Sequence, residues 1–121
     1  MKVRGTLTEV YLDEDGIVRS SSPEEITDEE ARNAIEKTKE LLEKIPFEKR
    51  RVLVDFRKTR RGSLSARKAY LEATELIPKG AVLVSNIYQK IVVSLVLRAG
   101  SVSQKIKIFT DEGEALRWLK R

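Results

Sequence analysis

Residues 51–70, RVLVDFRKTRRGSLSARKAY, decide the fold of this chain, because they read in succession as a strand, a basic loop and the start of a helix. The uninterrupted apolar run VLV at 52–54 predicts a central strand that is buried on both faces and has parallel neighbours. A strand, a polar loop and a helix N-terminus in this order can bind an anion, a phosphate group or a partner protein. The same arrangement also serves as a plain structural turn.

Upstream of this stretch the pattern predicts a hairpin and a helix. Residues 2–12 and 17–19 favour strands on either side of an Asp-Gly turn, which is typical of a β-hairpin. Thr27 is followed three residues later by Glu30, as in a capping box, and apolar residues then recur at helical spacing. We therefore expect an N-terminal hairpin and a helix that ends before Pro46.

Downstream, strands and helices alternate. We expect a loop at 58–62, a helix whose apolar stripe begins at Ala66 and ends before Pro78, and a second buried strand at 81–85. Ser63 and Ser65 precede this helix, and hydroxyl groups at that position cap backbone N–H groups. The alternation is typical of an α/β domain.

The last third of the chain contains one ambiguous segment. Residues 86–100 favour a strand by propensity, but their length and the closing Gly100 favour a helix, and we predict a helix. An edge strand at 105–109 and a final helix capped by Asp111 follow. The fold class predicted is α/β: a single domain over residues 1–121, with a mixed sheet of about five strands, an N-terminal hairpin and four helices.

Composition excludes several kinds of chemistry. The 121 residues contain no Cys and no His, while 40% are apolar and 36% are charged. Disulfides, thiol nucleophiles, thiolate zinc sites and catalytic triads that need His are thereby excluded. Asp55 could accept a proton, but an acid that closes a buried strand commonly caps the following turn, and no catalytic partner stands at a known spacing. We expect no enzyme activity, no cofactor and no metal site.

The distribution of apolar residues also bears on location. Residues 1–12 lack the continuous apolar core of a secretory signal peptide, and no stretch reaches the roughly 18 apolar residues of a membrane span. We therefore expect a cytoplasmic protein without a membrane span.

Four short strings resemble the SpoIIAA-like, STAS-type domains, relatives of anti-sigma-factor antagonists. They are VLVDFR at 52–57, ARKAY at 66–70, LRAG at 97–100 and IFTDEGEALRWL at 108–119. In such antagonists, a serine near the start of the helix after the central strand is phosphorylated, and this switches partner binding. The resemblance implies that Ser65 is that serine. However, Asp-Ser-Ser-Gly of the family reads here as Ser63-Leu64-Ser65-Ala66, without the acid and the glycine. Other SpoIIAA-like proteins resemble lipid-transfer domains.

Charge is unevenly distributed. Residues 13–48 contain 12 acidic and 5 basic residues, whereas residues 49–68 contain 9 basic and 1 acidic. The candidate residues for binding a partner or an anion lie in or near the second segment: Arg57, Lys58, Arg60, Arg61, Ser63, Ser65 and Arg67. The alternative is a solvated loop. We do not expect a nucleic-acid partner, because few aromatic side chains are near enough to stack on bases.

The helix at 86–100 has more apolar residues than one stripe against a sheet requires. The excess indicates a fully buried helix, a homodimer face or a site for a small apolar ligand. The candidate residues for a dimer face or ligand site are Tyr70, Ile91, Leu95 and Val96. Trp118 is predicted to anchor the last helix in the core, with an interface as the alternative.

Three hypotheses about function follow from these patterns. The leading hypothesis is a non-enzymatic, cytoplasmic regulatory module that binds a protein partner and is switched by phosphate at Ser65. The alternative is a carrier of a small apolar or lipid ligand beneath the helix at 86–100, and the third is a domain without a ligand. The sequence identifies neither the partner nor the ligand.

Overall fold

The structure is a computed structural model that describes residues 8–121. The elements follow one another in chain order as β1 (Glu9–Leu12), β2 (Val18–Ser21), β3 (Glu25–Ile26), α1 (Asp28–Leu42), β4 (Arg51–Asp55), β5 (Arg61–Gly62), α2 (Leu64–Ala73), β6 (Lys79–Leu83), α3 (Ile87–Ala99), β7 (Ile106–Phe109) and α4 (Glu112–Lys120). Short 3₁₀ turns at Phe47–Lys49 and Thr74–Leu76 precede β4 and follow α2.

The main sheet has five strands in the order β1-β2-β4-β6-β7. β1 and β2 form the predicted antiparallel hairpin, and the other neighbours are parallel. β4 lies at the centre, as its apolar run predicts, and β7 lies at the edge. Residues 2–7 of the predicted first strand lie outside the described part of the chain. The mixed five-stranded α/β sheet with four helices is confirmed.

The two faces of the sheet are covered differently. Side chains alternate along β4, so that Val52 and Leu53 lie on opposite faces. The Val52 face packs against α1, α2 and α3, whereas the Leu53 face packs against Ala115 and Leu119 of α4. Trp118 is half-buried on α4, and the centroid of its ring lies 5.7 Å from that of Phe109. Three helices therefore share one face, and that face contains the candidate site.

Local capping explains the helix starts. The side chain of Asn86 accepts a hydrogen bond from the backbone N–H of Gln89 at 2.9 Å, which begins α3. Thr27 and Asp111 begin α1 and α4 in the same way. The segment at 86–100 is therefore a helix, as its length and its cap predict, in spite of its strand-forming residues.

Two predicted boundaries were wrong. β6 spans Lys79–Leu83 rather than 81–85, because it begins directly after Pro78 in register with β4. The predicted loop at 58–62 contains β5, which pairs in parallel with β3. A pairing of two residues on each strand depends on contact between distant segments and has no local sequence signal.

Candidate functional site

The turn after β4 is stabilised by an internal ion pair. The carboxylate of Asp55 accepts hydrogen bonds from the backbone N–H of Arg57 at 2.9 Å and from its guanidinium group at 2.8 and 3.0 Å. Partial burial of Asp55 alone would raise its pKa, but these hydrogen bonds outweigh burial and the pKa lies below its usual value. Asp55 therefore stays ionised and caps the turn.

Arg57 is also paired with α4. Its guanidinium group lies 3.2 Å from the carboxylate of Glu112, the first residue of α4, which also contacts Arg19 of β2. The hydrogen bond to Asp55 raises the pKa of Arg57 and outweighs its slight burial, which alone would lower that pKa. Two carboxylates thus neutralise Arg57, which makes it the least available base of the predicted patch.

The start of α2 distinguishes the two serines. The Ser63 hydroxyl oxygen accepts a hydrogen bond from the backbone N–H of Ala66 at 3.0 Å and donates to the carboxylate of Asp28 on α1. Ser65 lies one residue inside α2, is exposed, and has no side-chain hydrogen bond within residues 8–121. Ser63 is therefore the N-cap, and the expectation that both serines cap the helix was wrong for Ser65.

The other bases of the patch are exposed. Arg60 lies 3.5 Å from Glu24, and both side chains are mostly exposed. Lys58, Arg61 and Arg67 are exposed and form no ion pair within the described part of the chain. The acidic N-terminal half therefore does not bury this basic patch, and Arg61 and Arg67 remain available to an anion.

A cavity of about 530 Å³ lies between the sheet and helices α2 and α3. Its walls are mainly apolar and include Val52, Val54, Phe56, Tyr70, Leu71, Leu76, Val92, Val93, Val96 and Leu97. The two helices approach each other at one end, where a Cβ on Gly100 would lie only 2.8 Å from Leu71 Cδ2. The sheet face beneath α2 and α3 is therefore not filled by side chains.

The cavity opens at the C-terminal ends of β4 and β6. The lining residues that are also exposed define the cavity mouth: Arg57, Arg60, Arg61, Arg67, Ser85, Asn86 and Tyr88. Crevices at this edge of a parallel sheet are common ligand sites. The predicted basic patch therefore lies at the mouth of the cavity under α3.

A buried hydroxyl lies in the wall of the cavity. Ser20 on β2 is only 4% exposed and pairs in register with Val54 on β4. Its Oγ has no hydrogen-bond partner within residues 8–121. Because buried polar atoms rarely stay unpaired, this hydroxyl is an exception, but its oxygen is too fully buried to contact a molecule in the cavity.

Tyr70 lines the cavity, and its hydroxyl group keeps its proton. Its ring packs edge-on against Phe56, with the ring centroids 5.5 Å apart. Burial raises the pKa of the Tyr70 hydroxyl above its usual value, and the charge of Glu30 raises it further. Tyr70 therefore stays protonated at neutral pH and has no means of acting as a base there.

The four residues predicted for a ligand site or dimer face lie on two surfaces. Tyr70 and Val96 line the cavity, whereas Ile91 and Leu95 point outward from α3 and are more than half exposed. The apolar excess of α3 therefore covers the cavity on one side and faces solvent on the other.

Sequence reasoning missed Gln89. Its side-chain amide donates to the carbonyl oxygens of Phe56 and Thr59 and accepts from the backbone N–H of Ser85. The available signal was a polar residue at the third position after the Asn86 cap, within an otherwise apolar helix. Gln89 joins α3 to both loops of the cavity mouth.

Several solved structures are similar to this chain in fold, including the following two. One is an uncharacterized protein of the DUF3478 family with a SpoIIAA-like fold from Shewanella loihica PV-4, 17% identical, with a TM-score of 0.72 over 98% of this chain and 97% of the other. The second is an anti-sigma-factor antagonist (STAS) domain protein from Planctomyces limnophilus, 14% identical, with a TM-score of 0.68 over 93% and 96%. The predicted SpoIIAA-like, STAS-type fold is confirmed.

Other comparisons define the family. No curated protein is similar enough in sequence to count as a relative. Within residues 8–121, no helix has the length and apolar character needed to span a membrane. The model of a domain of unknown function, DUF7793, matches residues 11–121. The chain therefore belongs to the DUF7793 family and has a SpoIIAA-like, STAS-type fold.

Proposed function

We propose that this protein is a non-enzymatic binding protein for a small amphiphilic ligand, with the hydrocarbon part in the cavity and an anionic head group at the mouth. One observation carries this proposal: the apolar cavity of about 530 Å³ has Arg61 and Arg67 at its mouth. The sequence had favoured a protein-interaction module, with a ligand carrier as the alternative.

The volume and lining support a hydrocarbon ligand. Ligand sites typically enclose about 300–1,000 Å³ and combine apolar walls with a few polar groups. Val54, Val92 and Val96 border the cavity and are only half-buried, so that a hydrocarbon chain would remove their exposed surface from water.

The charges of the mouth support an anionic head group. Arg61 and Arg67 flank the N-terminus of α2, where the helix dipole also favours a negative charge. A carboxylate and a phosphate monoester can both accept a pair of parallel hydrogen bonds from the N–H groups of a guanidinium group. The two head groups therefore share one recognition chemistry, and binding experiments distinguish them.

The titratable groups near the cavity support binding rather than catalysis. Asp55 is held ionised by Arg57, and Tyr70 is held protonated by burial. A general acid or base works best when its pKa lies near the operating pH, and neither group meets this condition.

Isothermal titration with dodecanoate, dodecyl phosphate and dodecanol tests the proposal. We expect one or both anionic compounds to bind at least about tenfold more tightly than dodecanol, because the arginines add charge-assisted hydrogen bonds. Val96→Trp should weaken binding strongly, because its larger side chain occupies part of the cavity. Ile91→Trp is the matched control on the outer side of α3 and should bind normally. Equal binding by both variants would rule out the cavity as the site.

Arg67→Ala tests the head-group position separately. It should reduce affinity for the anionic compounds by about tenfold and leave dodecanol binding unchanged. Arg32→Ala, an exposed arginine on α1, removes the same charge away from the mouth and should have no effect. An equal loss in the two variants would indicate a general charge effect instead of a site.

A phosphate switch at Ser65 is the second candidate function. Ser65 is exposed in the first turn of α2, two residues from Arg67, and a phosphate there would be stabilised by the helix N-terminus. Ser65→Asp should lower dodecyl phosphate affinity by about tenfold, because its carboxylate competes for the same arginines. Ser103→Asp, in an exposed turn, is the control. Unchanged affinity in Ser65→Asp would argue against regulation of the mouth through this residue.

A further inference from the structure

Several large apolar side chains are exposed on α3 and at the start of α2. Four of them lie on the first three turns of α3, and the fifth is the first residue of α2. We define this apolar face by its residues and their exposed fractions: Leu64 80%, Ile87 74%, Tyr88 75%, Ile91 54% and Leu95 59%. Soluble proteins seldom expose contiguous apolar surface without an interaction that covers it.

The two parts of the apolar face both lie next to the cavity mouth. Arg67 lies one turn after Leu64 on α2, and Tyr88 lies one turn before Ile91 on α3. Arg67 and Tyr88 both line the cavity mouth. The start of α2 and the outer side of α3 therefore both border that opening.

This surface carries positive charge and almost no negative charge. Residues 84–110 contain no acidic residue, and α3 carries Lys90 and Arg98. The start of α2 adds Arg61, Arg67 and Lys68, whereas its single acidic residue, Glu72, lies near the other end of the helix. An apolar centre is thus surrounded by basic residues.

We propose that the apolar face docks on the surface of an anionic lipid bilayer, with α3 parallel to the membrane plane. Interfacial helices combine exposed apolar residues, which enter the head-group region, with basic residues that pair with anionic lipids. The 13 residues of α3 span about 20 Å, which is too short to cross a hydrocarbon core of about 30 Å. Docking at the membrane surface is therefore consistent with the length of α3 and with the basic residues around it.

A second copy of the chain fits the apolar face less well than an anionic membrane does. A two-fold interface through α3 would bring the same surface of both copies together. Lys90, Arg98 and Arg67 of one copy would then approach their equivalents, with no acidic residue of α3 to pair with them. Anionic lipid head groups supply the opposite charge that a second copy lacks.

Flotation of the purified protein with lipid vesicles tests this docking, which does not require a ligand in the cavity. The vesicles contain phosphatidylcholine alone, or phosphatidylcholine with about 30% phosphatidylglycerol. We expect binding to the anionic vesicles, weaker binding to the neutral ones by at least about tenfold, and weakening at high salt. No flotation, or equal flotation with both vesicles, would overturn the proposal.

Two double variants test the apolar and basic contributions. Ile91→Gln with Leu95→Gln keeps helix propensity and should reduce vesicle binding by about tenfold. Lys68→Glu with Lys90→Glu should abolish the preference for anionic vesicles. Lys37→Glu with Lys39→Glu changes charge equally on α1 and should retain that preference. Circular dichroism verifies that each variant is folded.

Sedimentation equilibrium of the same variants tests the alternative, in which a second copy of the chain covers the apolar face. A stable dimer that Ile91→Gln with Leu95→Gln dissociates would overturn membrane docking in favour of self-association. A monomer that floats with anionic vesicles supports docking, whatever the titrations with dodecyl compounds show.

Discussion

The side-chain amide nitrogen of Gln89 donates a hydrogen bond to the carbonyl oxygen of Phe56 at 2.8 Å, which joins α3 to the loop after β4. The same nitrogen donates to the carbonyl oxygen of Thr59 at 3.0 Å, and the amide oxygen accepts from the backbone N–H of Ser85 at 2.7 Å. One side chain therefore holds the two loops of the cavity mouth at a set separation.

Replacing Gln89 by Leu should destabilise the fold. The variant leaves two carbonyl oxygens and one N–H group without this partner, and we expect a loss of about 1–3 kcal/mol in the free energy of unfolding. Urea denaturation measures it. Gln104→Leu, in an exposed turn, is the matched control and should change stability little. A similar stability of the two variants would show that the Gln89 contacts contribute nothing.

Two valine positions test whether the cavity exists in solution. Val18 is completely buried, whereas Val54 borders the cavity and is half-buried. Val18→Ala should cost about 2 kcal/mol in the free energy of unfolding, from lost burial and a new void. Val54→Ala should cost about half as much, because part of its side chain already faces open space. Equal losses in urea denaturation would indicate that the cavity is closed.

The two serines before and within α2 should differ in their contributions to stability. Ser63→Ala removes the N-cap and the hydrogen bond to Asp28, and we expect a loss of about 1 kcal/mol. Ser65→Ala removes an exposed hydroxyl and should change stability by less than about 0.5 kcal/mol. Thermal denaturation of the two variants measures this contrast, and a larger effect at Ser65 would contradict the capping assignment.

Asp55 should contribute to the acid sensitivity of the fold. Its pKa is lowered in the folded protein, because the hydrogen bonds from Arg57 outweigh partial burial. Its stabilising effect is therefore complete above the ordinary pKa of about 3.9 and is lost as pH falls through the lower, folded value.

Asp55→Asn removes this dependence. The difference in unfolding free energy between pH 7 and pH 3 should be smaller in the variant, by less than about 1 kcal/mol, because Arg57 is partly exposed and solvent screens the pair. Urea denaturation at both pH values provides the measurement. Identical pH dependence in the two proteins would show that Asp55 has the same pKa in the folded and unfolded states.

Much of the fold could be predicted because its signals are local. A run of apolar residues identified β4 as a central strand, and the length of residues 86–100 with the closing Gly100 identified α3 as a helix. The basic patch was also predictable, since charge is visible in composition. The pairing of β3 with β5 was not, because it joins residues more than 30 positions apart.

Periodicity, capping and turn residues act over a few neighbouring positions, and they were enough to define the α/β class, the order of its elements and the basic loop after β4. The cavity depends instead on the distance between α2 and α3. The close approach of Leu71 to Gly100 and the hydrogen bonds of Gln89 set that distance across the fold. Only the assembled structure therefore shows which apolar residues of α3 line a cavity and which ones face outward.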